Sequence, residues 1–183
     1  MLKEIVQILL FIFCLVSFCL TARGDLGETQ KEIDNRYAIE GEETTTEKAE
    51  PLADTLTKYR LDFGRYAQVW FRGGKSRMEC HGKLTPFTDS EIKELKTRNA
   101  GDSSWILLNS NPKEGTVWGR KDGKVLAWTI RLRSGHLCVF QVGYKHIVEA
   151  QFKGGAFKFD KKDYPALWQT LSDYFSNSNN PNQ

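Results

Sequence analysis

The chain has little of what many enzymes use to build their sites. Its 183 residues hold four cysteines and three histidines, and Cys14 and Cys19 both fall in an apolar N-terminal run. No Cys-x-x-Cys pair is present, which removes the spacing that makes a zinc site readable in a sequence. His-Glu-x-x-His, Gly-x-Ser-x-Gly and a glycine-rich phosphate loop are missing too, so no metalloprotease, serine hydrolase or nucleotide site is written in the chain. There is no Asn-x-Ser/Thr sequon and no internal repeat. No motif names a reaction, a metal or a cofactor.

What is there begins with an address. Residues 1–24 place Lys3 ahead of an apolar run from Ile5 to Leu20, followed by Thr21, Ala22 and Gly24. That order of charge, apolar stretch and small residues is the layout of a secretory signal peptide, with cleavage expected before Asp25. The protein is therefore expected to be secreted or periplasmic. The alternative is a membrane anchor, either because the segment stays uncleaved or because Cys19 is lipidated.

Charge is divided unevenly along the rest. Residues 25–55 carry ten acidic and three basic side chains, whereas residues 56–183 carry 21 basic and 12 acidic ones. The first stretch is poor in apolar residues, so residues 25–57 are expected to form an acidic, mostly disordered linker. Residues 58–175 are expected to form one globular domain, and the polar residues 176–183 a disordered tail. A basic domain behind an acidic arm points to an anionic partner, or to an arm that folds over the domain's own basic surface.

Within the domain, turn signals set the elements. Gly73-Gly74 joins two alternating runs in a hairpin, and Asp122-Gly123 joins a second pair. With a two-residue turn at the first, Trp70 is expected opposite Arg77. Ala67, Val69 and Phe71 then share the core face with Ser76, Met78 and Cys80, and Trp70, Arg72, Lys75, Arg77, Glu79 and His81 share the other. Thr88 with Glu91 is a capping box that opens an inserted helix, stopped by Asn99 to Gly101. Residues 104–109 read as a buried strand. Leu126, Trp128, Ile130 and Leu132 alternate cleanly with Thr129, Arg131 and Arg133. The runs 136–142, 146–152 and 156–159 read as three further strands, with Val142 opposite His146 and Cys138 opposite Ala150. Tyr164, Leu167, Trp168, Leu171, Tyr174 and Phe175 line one face of a C-terminal helix that admits Pro165 in its first turn. The expected class is α+β: an antiparallel, meander-rich sheet of seven or eight short strands, an inserted helix, and a C-terminal helix on one face.

Two couples, Cys80-His81 and His136-x-Cys138, are the strongest candidates for chemistry. Cys80 and His81 alternate to opposite faces of a strand, which spoils a compact metal site. Neither cysteine sits at a helix start or beside an evident cation, as a catalytic thiolate requires. The expectation is a structural disulfide, Cys80 to Cys138, which would constrain the unfolded chain by roughly 4 kcal/mol. No catalytic or metal residue is assigned.

For binding, Trp70, Arg72, Lys75 and Arg77 project together from the first hairpin, with Arg131 and Arg133 extending a basic sheet face. An indole among cations stacks on a sugar or base while the cations hold phosphate, sulfate or carboxylate. With export expected, the partner is a polyanionic glycan, a lipid headgroup or a cell-wall polymer rather than a specific nucleic acid. The leading reading is thus a non-enzymatic binding domain. The alternative is a small extracytoplasmic hydrolase with a Cys–His or carboxylate site.

Overall fold

The computed structural model describes residues 26–37, 41–101, 103–132, 137–154 and 161–177. The expected signal peptide, Arg133, His136, the strand expected at 156–159 and the last six residues lie outside these.

The chain builds one eight-stranded antiparallel sheet from two consecutive four-strand meanders. The first comprises β1 (Gly41–Lys48), β2 (Thr55–Leu61), β3 (Tyr66–Arg72) and β4 (Lys75–Lys83). The second comprises β5 (Trp105–Asn111), β6 (Gly115–Arg120), β7 (Val125–Arg131) and β8 (Cys138–Tyr144). Their inner strands meet, giving the order β1-β2-β3-β4-β8-β7-β6-β5. Helices α1 (Gln30–Tyr37), α2 (Asp89–Arg98), α3 (Lys145–Lys153) and α4 (Pro165–Asn177) complete the described fold, with a 3-10 turn at Asp62–Gly64. The class is α+β, with α2 inserted between the meanders and α4 at the C-terminal end, as the sequence pattern implies.

Each sheet face has its own core. On one, Cys80, Leu126, Trp128, Ile130 and Val139 meet Val148 of α3 and Leu167, Leu171 and Phe175 of α4. On the other, Ile33 and Tyr37 of α1 cover Tyr59, Ala67, Val69 and Phe71. Beside them, Val125, Ala127, Phe140 and Val142 lie with Phe87, Ile92 and Leu95 around α2. The sheet is therefore a buried middle layer across most of its width, which explains why most of β4 and β8 is buried on both faces.

Local signals account for much of this. Gly73 and Gly74 both take positive φ, 60° and 68°, as a two-residue hairpin turn of the favoured hand requires. Thr88 accepts from the Glu91 amide while the Glu91 side chain accepts from the Thr88 amide. That capping box contributes about 1 kcal/mol to starting α2.

Three expectations are corrected. Residues 26–37 and 41–57 are not a free linker. Leu26 is buried, the Gly27 amide donates to the Ser76 carbonyl, and the Tyr144 hydroxyl donates to the Leu26 carbonyl. Helix α1 is then held by polar contacts as much as by Ile33: Gln30 Nε2 donates to the Tyr59 hydroxyl, which donates to Asp34. Residues 146–152 are not a strand but most of α3, with Ile147, Val148 and Gln151 buried on one side. Strand β8 is already paired with β4 on one edge and β7 on the other, so no edge is left for a returning strand. Finally, β5 is an outer strand, with Ile106 and Leu107 exposed (41% and 60%) rather than buried.

Candidate functional site

The first hairpin carries a β-bulge that redraws the expected basic face. Arg72 pairs with Lys75 and Phe71 with Ser76, but Trp70 then pairs with Met78 and Val69 with Glu79. Arg77 is the extra residue. Beyond it every β4 side chain changes face, because one inserted residue shifts a two-residue alternation by half a period. Trp70 faces Met78, not Arg77, and packs against the core beside Cys80 and Trp128. It is half-buried core rather than an exposed stacking platform.

Arg72 and Lys75 stay exposed at the hairpin end. Arg77 places its guanidinium 5.5 Å from the centre of the Tyr144 ring and donates from Nε to the Arg72 carbonyl. The Tyr144 ring lies 6.0 Å from that of His146, in the first turn of α3. That first turn contains no acidic residue, and Tyr144 at the N-cap supplies no side-chain hydrogen bond. The pKa of His146 is held below its ordinary value by partial desolvation first, then by the positive charges of Arg77 and Arg72. Three groups that favour an anion thus converge at one end of the sheet. Arg131 is not among them: it pairs with Cys138 at the opposite end.

The expected disulfide is also corrected. Cys80 pairs with Gln141 and Cys138 with Lys83. Partners across a ladder share a face, and three residues along a strand reverse it, so the two cysteines lie on opposite faces. Both are buried thiols, not joined to each other.

The bulge also creates a constellation that the sequence reading missed. It turns Glu79 and His81 inward beneath α1, where Glu79 is 1% and His81 9% exposed. Glu79 Oε2 lies 3.4 Å from the Tyr37 hydroxyl and 3.4 Å from His81 Nε2. Arg36 Nη1 is 3.9 Å from Glu79 Oε1, and neither of these two buried atoms has a hydrogen-bond partner among the described residues. Arg36 is also tied to Glu28 through its other nitrogen. Burial and the Glu79 charge both push the Tyr37 phenol upward. A cavity of about 180 Å³ opens above His81 between α1, β4 and α2. Two signals pointed this way in the sequence: Glu79 and His81 alternate, and Tyr37 and Ile33 are four residues apart. Without the bulge and α1, they had no reason to meet.

Among the described residues, no group of three His, Cys, Asp or Glu side chains is placed to hold a metal ion. None of the described helices is long and apolar enough to cross a membrane. Comparison with protein-family models, with curated proteins and with solved structures gives no match.

Proposed function

We propose that the protein is an exported, non-enzymatic domain that binds a polyanion, a glycan or cell-wall polymer with repeating carboxylate, phosphate or sulfate groups, at the β3–β4 hairpin end. The observation that carries this reading is the convergence of Arg72 and Arg77 on His146 at the uncapped start of α3. Like charges brought together on a surface oppose each other, so the arrangement favours an incoming anion. The excess of basic side chains over residues 56–183 supports the same partner. Its expected location, secreted or periplasmic, rests on the N-terminal segment alone.

The test is retention on immobilised heparin, a sulfated polysaccharide, across a salt gradient. Arg72→Gln, Lys75→Gln and Arg77→Gln together should move elution to distinctly lower salt while the far-UV spectrum is unchanged. Unchanged elution would remove the proposal. Retention on phosphatidylglycerol vesicles but not on heparin would move the partner to a lipid headgroup.

A further inference from the structure

The sheet ends in two outer strands, and their edges differ in how they are guarded. Strand β1 carries Glu42, Glu43, Glu47 and Lys48, and charged side chains are a common defence of an open edge. The seven residues of β5, Trp105–Asn111, include no charged residue and no proline. Three large apolar side chains are exposed among the described residues. Two of them, Ile106 at 41% and Leu107 at 60%, are neighbours on β5.

The ladder fixes which backbone groups of β5 look outward. Lys121 donates its amide to the Ser104 carbonyl at 2.8 Å, so Ser104 directs its backbone groups at β6. Ile106, two residues on and opposite Gly119, does the same. Trp105 and Leu107 alternate with them, which leaves the Trp105 carbonyl and the Leu107 amide on the open side. The β-bulge between Leu107 and Asn109 breaks the alternation beyond that point and keeps the regular edge short.

This edge is complementary to itself. A two-fold axis through Ile106, perpendicular to the sheet, sets Leu107 of each chain opposite Trp105 of the other. Each Leu107 amide then donates to the Trp105 carbonyl of the other copy. The two Ile106 residues form a non-hydrogen-bonded pair on the axis, with Cα atoms about 4.5 Å apart and side chains in contact. Apolar residues meet apolar ones on both faces, and no charge faces another. The same operation at the middle of β1, about Thr45, would set Glu43 opposite Glu47, and like charges directly opposite are destabilising.

We infer that β5 is a dimer interface, in which a second copy of this chain pairs antiparallel about Ile106 and joins two eight-stranded sheets edge to edge. A contact this short falls below the roughly 1,200 Å² that separates weak from standard interfaces, so the association is reversible and depends on concentration. The inference uses none of the residues at the hairpin end and is independent of the polyanion proposal.

Sedimentation of the full chain at rising concentration should show a monomer–dimer equilibrium. Ile106→Lys brings two ammonium groups together on the axis and should raise the dimer Kd about tenfold or more, with the far-UV spectrum unchanged. The register is read separately, in a full chain carrying Cys14→Ser and Cys19→Ser. There, Ile106→Cys should oxidise to a disulfide-linked dimer, because only a residue on the axis meets its own copy. Ser110→Cys, exposed on the same strand beyond the bulge, should stay unlinked, as should the parent with its two buried thiols. A chain that stays monomeric up to its solubility limit would overturn the inference and leave this edge to a strand of another protein. A dimer that Ile106→Lys leaves unchanged would overturn it too, as would Ser110→Cys linking as readily as Ile106→Cys.

Discussion

Cys80 and Cys138 lie on opposite faces of one sheet, on the neighbouring strands β4 and β8, three ladder positions apart. A disulfide needs Cα atoms within about 7 Å and side chains directed at each other, and the sheet stands between these two. A chain starting at Asp25, which omits Cys14 and Cys19, should take up two alkyl groups in denaturant without any reductant. In native buffer both thiols should be slow to react, because each is buried (6% and 5% exposed). A mass showing no alkylation until reduction would require a different pairing of β4 with β8.

The Glu79 cluster should matter to stability in proportion to its burial. Glu79→Gln keeps the shape but takes away the charge facing Arg36 and puts an NH2 donor in place of one of the two acceptor oxygens that meet Arg36, Tyr37 and His81. A buried polar group left partly unsatisfied costs about 1–3 kcal/mol. The long distances here place the expected loss toward the lower part of that range. Urea unfolding should show a lower midpoint with an unchanged slope. A midpoint equal to that of the parent would mean that Glu79 is not buried beneath α1.

Acid should act through Glu91. Hydrogen bonds from Lys83, and then from Thr88, hold its pKa down to about 2. The unfolded chain has an ordinary value near 4.3. A folded pKa below the unfolded one stabilises the fold above about pH 4.3, and that contribution is lost as pH falls toward 2. Glu91→Gln should therefore flatten the fall in stability across that window while lowering stability at neutral pH. A parallel fall in both proteins would show that other carboxylates govern acid unfolding.

Two glycines separate ordinary crowding from a backbone requirement. A Cβ on Gly82 would meet the Tyr66 ring at 2.0 Å, a side chain able to swing away. A Cβ on Gly115 would meet the Thr129 carbonyl oxygen at 1.9 Å, and its φ is +139°. That neighbour is ladder backbone, which cannot yield without opening β6 from β7. Gly115→Ala should thus lower the thermal midpoint clearly more than Gly82→Ala, and Tyr66→Ala should restore part of the loss only for Gly82→Ala. Equal losses, or rescue of both by Tyr66→Ala, would refute the distinction.

The elements legible in the sequence were those whose cause is local. Thr88 and Glu91 cap a helix within four residues, Gly73-Gly74 turn within two, Asp122-Gly123 lie in the four-residue connection from β6 to β7, and Leu126, Trp128 and Ile130 alternate without interruption. What escaped was set from a distance. The strand reading of 146–152 rested on a register that set Val142 opposite His146 and Cys138 opposite Ala150, but both edges of β8 are already taken by β4 and β7, and the segment is helix. Helix α1 buries little beyond Ile33 and Tyr37 and relies on polar contacts with Tyr59 and Thr57, which composition cannot foresee. The bulge at Arg77 is a single residue, yet it decides both candidate sites. It takes Trp70 from the ligand face and turns Glu79 and His81 under α1.

The charge arrangement at the hairpin end makes a prediction readable without knowing the natural ligand. His146 titrates below its ordinary value because its partial desolvation and the positive charges of Arg77 and Arg72 disfavour its cationic form. Arg77→Gln removes the charge that acts more strongly on His146, so the His146 pKa should rise in the unliganded protein. Heparin bound at the same place would act in the same direction, since sulfate groups offset the guanidinium charges and favour the imidazolium. The effect should weaken with salt, because exposed charges are screened within about 10 Å at 0.1 M. The His146 ring signal across a pH titration, with and without heparin, reads each of these shifts. If heparin binds while the His146 pKa stays where it was, the polyanion sits elsewhere on the domain, and the convergence of Arg72, Arg77 and His146 is not its site.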